Sequence, residues 1–165
     1  MKVLIAIDDS PYSSQVIESV ISRRWPINAE FKILTVLEPI SSFNGCSTAE
    51  CSKSLSSIDK QRRQAAERLG EKVRQKFESA MPATNVHCDI RAGLPRAEII
   101  NAAVDWSADK IIVGAHGRDV CPRYLIGSVS RAVATHAPCS VEIIRPRAYH
   151  KRQTAEARPA SAISR

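Results

Sequence analysis

Two glycine-containing segments near the end of the chain are spaced as in a binding site for a phosphate group. Gly114-Ala-His-Gly117 follows the apolar run 110–113, and Gly127-Ser128 precedes a segment with helical periodicity. A helix start offers unpaired backbone N–H donors and the positive end of the helix dipole, which both favour an anion. Glycine lets a phosphate approach such donors without obstruction by a side chain. The spacing predicts a phosphate cradle, although turn glycines in an ordinary strand–loop–helix connection would give the same spacing.

The apolar periodicity around these glycines predicts strands that alternate with helices. Strands are predicted over residues 2–7, 31–37, 85–91, 110–113 and 140–144. Helices are predicted to begin near residues 11, 58, 95 and 128, the first of them capped by Ser10. The Ser-rich stretch 40–57 is predicted to be a long connection, either a lid or a mobile loop. This order predicts an α/β fold with an open, doubly wound, five-stranded parallel sheet and helices on both faces.

The two ends of the chain resemble the universal stress protein (UspA-type) family. At the start, Val3-Leu-Ile-Ala-Ile-Asp-Asp-Ser10 is similar to that family's first strand and aspartate-containing loop. Near the end, residues 125–133 and 135–145 are similar to the family's C-terminal half. The resemblance covers about residues 1–146, which are expected to form one domain. The pattern G-x2-G-x9-G-[S/T] marks the members of that family that bind ATP, and it is intact in this chain.

The resemblance implies binding roles for residues on both sides of the predicted crevice. Asp8 matches an aspartate beside the nucleotide, where it could meet ribose hydroxyls or a divalent cation such as Mg²⁺ or Mn²⁺; capping the next helix is its alternative role. Ala6 and Val36 match positions around the adenine, and both could equally be ordinary strand residues. The residues that match the two limbs of the cradle are Val113, Gly114, His116 and Gly117, and Gly127, Ser128, Val129 and Ser130.

Ser128 and Ser130 are candidates to donate hydroxyl hydrogen bonds to phosphate oxygens. A plain helix N-cap is the alternative role for Ser128, and it is compatible with phosphate binding. The ring of His116 is expected to be incidental, with its backbone as the donor. Neither the Rossmann pattern G-x-G-x-x-G nor the Walker pattern G-x4-G-K-[S/T] occurs in the chain.

The predicted topology explains why these distant residues should meet. In open α/β sheets, ligands bind beyond the carboxyl ends of the strands, at the point where the strand order reverses. The first and fourth strands are expected to flank that crevice. Asp8 ends the first strand and Gly114 ends the fourth, so the two groups of candidate residues converge there.

The positive charge of the chain is concentrated at its end. The net charge is +7, and from Arg145 onward six basic residues face one acidic residue, which leaves +5 in that segment. Residues 147–165 are therefore expected to be a basic, disordered tail that adds at most weak contact with nucleic acid. No apolar run approaches the ~20 residues of a membrane span, and the first apolar run is too short for a signal peptide. A cytoplasmic protein without membrane contact is expected.

Three functions are compatible with these features. The first is an ATP-binding regulatory module that acts in a stress response, and the alternative is a slow nucleotide hydrolase or phosphotransferase that uses the same pocket. The third is an interaction protein that contacts nucleic acid through its basic tail. A homodimer through the strand 140–144 is also expected, because that strand should be an apolar sheet edge and the family commonly dimerises there. An edge covered by the tail is the alternative.

Overall fold

The structure is a computed structural model that describes residues 1–40, 49–117 and 126–145. Strands and helices alternate along the whole described chain. The elements are β1 (Lys2–Ile7), α1 (Pro11–Ile21), β2 (Glu30–Leu37), α2 (Ala49–Ala80), β3 (Asn85–Ala92), α3 (Pro95–Asp105), β4 (Lys110–Gly114), α4 (Ser128–His136) and β5 (Ser140–Ile144). The predicted fold class is confirmed.

The five strands form one parallel sheet in the order β3-β2-β1-β4-β5. The chain first winds outward from β1 to β2 and β3, and then crosses to the other side of β1 to form β4 and β5. In this register Ala6 of β1 lies between Leu34 of β2 and Val113 of β4. The reversal of winding therefore falls between β1 and β4, as predicted, and it opens a crevice beyond their carboxyl ends.

Two hydrophobic cores cover the two faces of the sheet. On one face, α1 and α2 pack on β1 and β2, and the rings of Phe31 and Phe77 lie 5.2 Å apart, both fully buried. On the other face, α3 and α4 contribute Ile99 and Val133, which pack with Leu4 of β1. Because both faces are buried, the central strands are almost continuously apolar, which is why their positions were evident from the sequence.

The start of α2 was predicted wrongly. The helix begins at Ala49 rather than near Ile58, so it includes much of the stretch that had been predicted as a connection. Residues 56–61 are all exposed, and the first buried residue of its core stripe is Ala66. The predicted start near Ile58 therefore has no buried face to mark it, because an amphipathic pattern needs one side of a helix to be buried. Residues 41–48, the remainder of the predicted connection, lie outside the described residues.

The final strand occupies an edge of the described sheet, as predicted, because among the strands of residues 1–40, 49–117 and 126–145 only β4 pairs with β5. Its Val141 and Ile143 pack against the second core, and Ile144 packs against the first. The predicted tail, residues 147–165, lies outside the described residues. In the ranges that are described, no helix combines the length and the apolar character needed to span a membrane.

Candidate functional site

One cleft lies beyond the carboxyl ends of β1 and β4, where the topology predicts a ligand. All eleven candidate residues line it. They are Ala6, Asp8, Val36, Val113, Gly114, His116, Gly117, Gly127, Ser128, Val129 and Ser130. Residues separated by more than a hundred positions in the chain are thus brought together, while their contacts with a ligand remain a prediction.

One end of the cleft is apolar. Ala6 and Val113 supply its floor from β1 and β4, and Leu34 and Val36 extend that floor along β2. Pro95 and Ile99 wall it from α3. This end is suited to a flat, largely apolar ring. A ring bound there would cover Ala6 and Val36, which are half-buried, and remove their remaining surface from water.

The other end of the cleft is formed by backbone around the glycines. The N–H of Ala115 donates to Ile144 O at 2.7 Å, and the N–H of Gly127 donates to Ala115 O at 2.7 Å. The amide of Gly127 is therefore engaged within the protein. The first turn of α4 begins one residue later, and its first backbone bond runs from Arg131 N to Gly127 O at 3.0 Å. The preceding amides, from Ser128 to Ser130, have no acceptor within the helix, as at any helix start, so they are the donors that an anion would meet.

The glycines of this end are required for space rather than for an unusual backbone conformation. Among the glycines in the described ranges, only Gly93 has a positive φ. A β-carbon on Gly117 would lie 2.9 Å from Asp8 Oδ2, and one on Gly127 would lie 3.3 Å from Ala115 O. One on Gly114 would lie 3.2 Å from His116 O. The cradle is therefore closely packed, and Gly117 in particular has no room for a side chain.

Asp8 is held by the turn that joins β1 to α1. Its Oδ1 accepts hydrogen bonds from Ser10 N at 3.1 Å and from Ser13 Oγ at 2.9 Å. Oδ1 thus binds donors at the start of α1, which is the helix-capping role that was considered for Asp8. The other carboxylate oxygen, Oδ2, faces Gly117. Ser10 occupies the predicted N-cap position but makes no side-chain cap bond, and its buried Oγ has no hydrogen-bond partner in the described part of the chain.

The serines of the second limb differ in what they can offer a ligand. The N-cap of α4 is Gly127, with φ −65° and ψ 161°, so the alternative role that was considered for Ser128, a helix N-cap, belongs to Gly127. Ser128 is instead the first helical residue, at the mouth of the cleft. Ser130 is 5% exposed and donates its hydroxyl proton to Gly114 O at 2.6 Å. Its hydroxyl therefore joins the two limbs and has no proton left for a phosphate.

His116 is buried in the wall of the cleft. Its side chain is 6% exposed, and its ring centroid lies 6.4 Å from that of Tyr12 of α1. A packed ring of this kind holds the glycine-rich limb against α1. This arrangement agrees with the expectation that the His116 side chain is not itself the phosphate ligand.

A divalent cation could be held here only with help from the ligand. Within residues 1–40, 49–117 and 126–145 there is no group of three or more His, Cys, Asp or Glu side chains arranged to bind a metal. Asp8 Oδ2 accepts no hydrogen bond from these residues and faces the glycine-rich limb. Magnesium is commonly held by one or two carboxylates together with phosphate oxygens of a substrate. Asp8 fits that mode, and it would supply one oxygen to a cation bound with a nucleotide.

The cleft includes further residues that the sequence analysis did not identify. They are Ile7, Ser13, Val16, Leu34, Glu38, Pro95 and Ile99. The apolar members gave no separate signal, because a residue at the end of a core element has the same pattern as one that lines a cleft. Glu38 directly follows β2, so the rule that places ligands at strand ends would have found it. Ser13 gave no signal, because a serine in a first helical turn is common.

The chain matches the sequence profile described as the universal stress protein family over residues 1–145. A universal stress protein of Methanocaldococcus jannaschii is 26% identical over 144 residues, which cover 87% of this chain and 81% of that protein. A relative from Staphylococcus saprophyticus is 39% identical over 62 residues. That match spans only 37% of the length of either protein.

Solved structures share the fold. UspA from Lactobacillus plantarum superimposes with a TM-score of 0.74 at 26% identity, over 88% of this chain and 97% of that one. A family member from Arabidopsis thaliana, solved with AMP bound, gives a TM-score of 0.61 at 19% identity and covers 97% of both chains. A universal stress protein in complex with cAMP gives 0.63 at 21% identity, over 87% of this chain and 96% of that one.

Proposed function

The chain belongs to the universal stress protein family, and on that premise we propose that it binds ATP as a nucleotide-dependent regulatory module in a stress response. The observation that carries the proposal is the convergence of the eleven candidate residues on one cleft between β1 and β4. Resemblance and spacing in the sequence indicated these residues, and the predicted topology implied that they should meet where the winding of the sheet reverses. They come from three strands, β1, β2 and β4, from the helix α4 and from the segments next to these elements.

The two ends of the cleft suit the two ends of a nucleotide. The apolar end, formed by Ala6, Leu34, Val36, Val113 and Ile99, would hold the base. The amides at the start of α4 and the glycine-rich limb would receive the phosphates. Family members of the same fold have been solved with AMP and with cAMP, which supports an adenine nucleotide as the ligand. The preference for ATP itself rests on the intact G-x2-G-x9-G-[S/T] pattern.

A regulatory role follows from what the cradle is attached to. The limb Gly114–Gly117 is bonded to β5 through Ala115 N and Ile144 O, and to α4 through Gly114 O and Ser130 Oγ. A bound phosphate would draw this limb toward α4. Because Ala115 N is hydrogen-bonded to Ile144 O, that movement would also shift the edge strand β5. Nucleotide binding would thereby alter the surface that β5 offers to a second copy or to a partner.

Mass spectrometry of small molecules tests the proposal on the native ligand. The full chain is purified quickly, washed free of unbound solutes and denatured, and the released molecules are identified. ATP, ADP or AMP in near-stoichiometric amount is expected. If no nucleotide is released, calorimetric titration with ATP and with GTP follows, and ATP should bind at least tenfold more tightly. A chain that releases no adenine nucleotide and gives no binding heat with ATP would contradict the proposal.

The same samples distinguish binding from slow hydrolysis. The protein is loaded with ATP in the presence of Mg²⁺, and the ratio of ADP to ATP is followed over hours against buffer alone. We expect ATP to persist, as for a binding module. Conversion to ADP at a rate that Asp8→Asn abolishes would favour the hydrolase alternative instead.

A further inference from the structure

The hydroxyl of Ser13 makes two hydrogen bonds to the same residue, Asp8. Ser13 Oγ accepts a hydrogen bond from Asp8 N at 3.0 Å and donates to Asp8 Oδ1 at 2.9 Å. A hydroxyl has one proton and two lone pairs, so the two bonds do not compete. Together they close a small ring that fixes the Asp8 carboxylate relative to its own backbone.

This ring assigns different roles to the two oxygens of the carboxylate. Oδ1 also accepts the Ser10 N–H at 3.1 Å, so it receives two donors from the start of α1. Oδ2 receives none from the described residues and is directed at Gly117 in the cradle. Without Ser13, the carboxylate could rotate, and Asp8 N–H would lose its acceptor. Ser13 is only 7% exposed and lines the same cleft, so little water would be available to replace its hydroxyl.

We propose that Ser13 is a positioning residue that reserves Asp8 Oδ2 for the ligand. The inference rests on the proposed function, in which Oδ2 meets either a magnesium ion that accompanies the phosphates or a ribose hydroxyl. Ser13 acts through Asp8 and needs no contact of its own with the nucleotide. Its contribution is the hydroxyl rather than the space that the side chain fills.

A pair of matched substitutions isolates the hydroxyl. Ser13→Thr keeps it, and Ser13→Val replaces it with a methyl group of nearly the same shape. Both variants add a branched side chain at the same buried position, so any steric damage is shared. In calorimetric titrations of the full chain with ATP and MgCl₂, Ser13→Thr should bind within threefold of the unmodified protein. Ser13→Val should bind about tenfold more weakly than Ser13→Thr.

A double-mutant cycle shows whether the effect passes through Asp8. Once Asp8→Asn has been made, the further change Ser13→Val should weaken binding by less than threefold. Equal affinities of the Thr and Val variants, or additive losses in the cycle, would overturn the inference while leaving ATP binding by the unmodified chain intact. If the unmodified chain binds no ATP, the proposed function fails and the inference fails with it. If both variants are unfolded by circular dichroism, Ser13→Cys takes the place of Ser13→Thr and Ser13→Ala that of Ser13→Val. The thiol is a weak donor and acceptor, so Ser13→Cys should bind more tightly than Ser13→Ala.

Discussion

Gly117 lies so close to Asp8 that a β-carbon added to the glycine would come within 2.9 Å of Oδ2. The two residues follow different strands, Gly117 after β4 and Asp8 after β1. Asp8 cannot simply swing aside, because its other oxygen is held by Ser10 N and Ser13 Oγ. This contact makes the second glycine of the G-x2-G pattern a steric requirement of the site as well as an access point to its backbone.

Adding a side chain at position 117 should therefore weaken nucleotide binding. Gly117→Val is expected to lower the affinity for ATP at least tenfold, which is about 1.4 kcal/mol. Gly117→Ala should have an effect in the same direction. Isothermal titration calorimetry measures both. An unchanged affinity in the Val variant would rule out this position as part of the phosphate cradle.

Gly70 provides the matched control for these substitutions. A β-carbon there would meet Cys88 Cβ at 3.4 Å, an ordinary contact, and the residue lies in α2, away from the cleft. Gly70→Ala should leave the ATP affinity unchanged. Because alanine favours a helix more than glycine does, this variant should also be more stable by about 0.5–1 kcal/mol.

Ser130→Ala should lower the free energy of unfolding of the domain. The substitution removes the hydroxyl that joins Gly114 O to α4 at 2.6 Å in a buried position. Loss of such a bond costs about 0.5–1.5 kcal/mol, or more if the acceptor is left unsatisfied. Chemical denaturation measures the change. Ser14→Ala, an exposed serine of α1 whose hydroxyl bonds to Pro11 O, should change the stability by less than about 0.5 kcal/mol.

The order of elements was evident from the sequence, because the strands are apolar on both faces and the helices carry buried stripes. The local details of the site were not. Ser13 looks like any serine of a first helical turn, and only the fold shows that its hydroxyl returns to Asp8. Gly127 was expected to belong to the phosphate cradle, but the sequence did not show that its amide donates to Ala115 O. Such bonds depend on which loops and helix starts come together in the fold, and the periodicity of apolar residues does not predict that.

Edge positions were the other source of error. Cys88 alternates with Val86 and Ile90, a pattern that predicts an inward-facing strand residue, yet Cys88 is exposed. It does approach α2, with Sγ 3.4 Å from Gly70 O. However, β3 is an edge strand, with β2 beside it and no strand of the described sheet on its other side. Its side chains are therefore less covered than those of a central strand. Alternation in a sequence indicates which face a side chain is on but not whether its strand is central.

The edge strand β5 leads to a prediction about assembly. The full chain should form a dimer of about twice 18.1 kDa, through pairing of the exposed backbone of β5 with a second copy. Light scattering at several protein concentrations measures the mass. A monomer for both the full chain and a chain that ends at Pro146 would contradict the prediction. A monomer for the full chain only would indicate that the tail covers the edge.

The fold also shows which substitution would not test that dimer. Ile143→Lys would be the obvious choice for an exposed apolar edge, but Ile143 packs against the second core. A lysine there would destabilise each protomer, so loss of the dimer would not identify the interface.

Removal of residues 147–165 should leave the domain intact. That segment lies outside the described residues, carries many charges and has almost no apolar periodicity, so we expect it to bury too little surface to offset the entropy of ordering. The melting temperature of the chain that ends at Pro146 should match that of the full chain. A loss of several degrees would show that the tail packs on the domain.

The central claim is that the phosphates of ATP lie between the glycine-rich limb and the start of α4. Amide chemical shifts of the ¹⁵N-labelled full chain test it most directly, because they report each backbone donor separately. Addition of ATP with Mg²⁺ should shift the amide signals of Gly117, Ser128 and Val129 strongly. The signals of Gly70 and Gly93, which do not line the cleft, should remain in place. Saturable binding with no shift at Gly117 or Ser128, or no shift anywhere at millimolar ATP, would contradict the account.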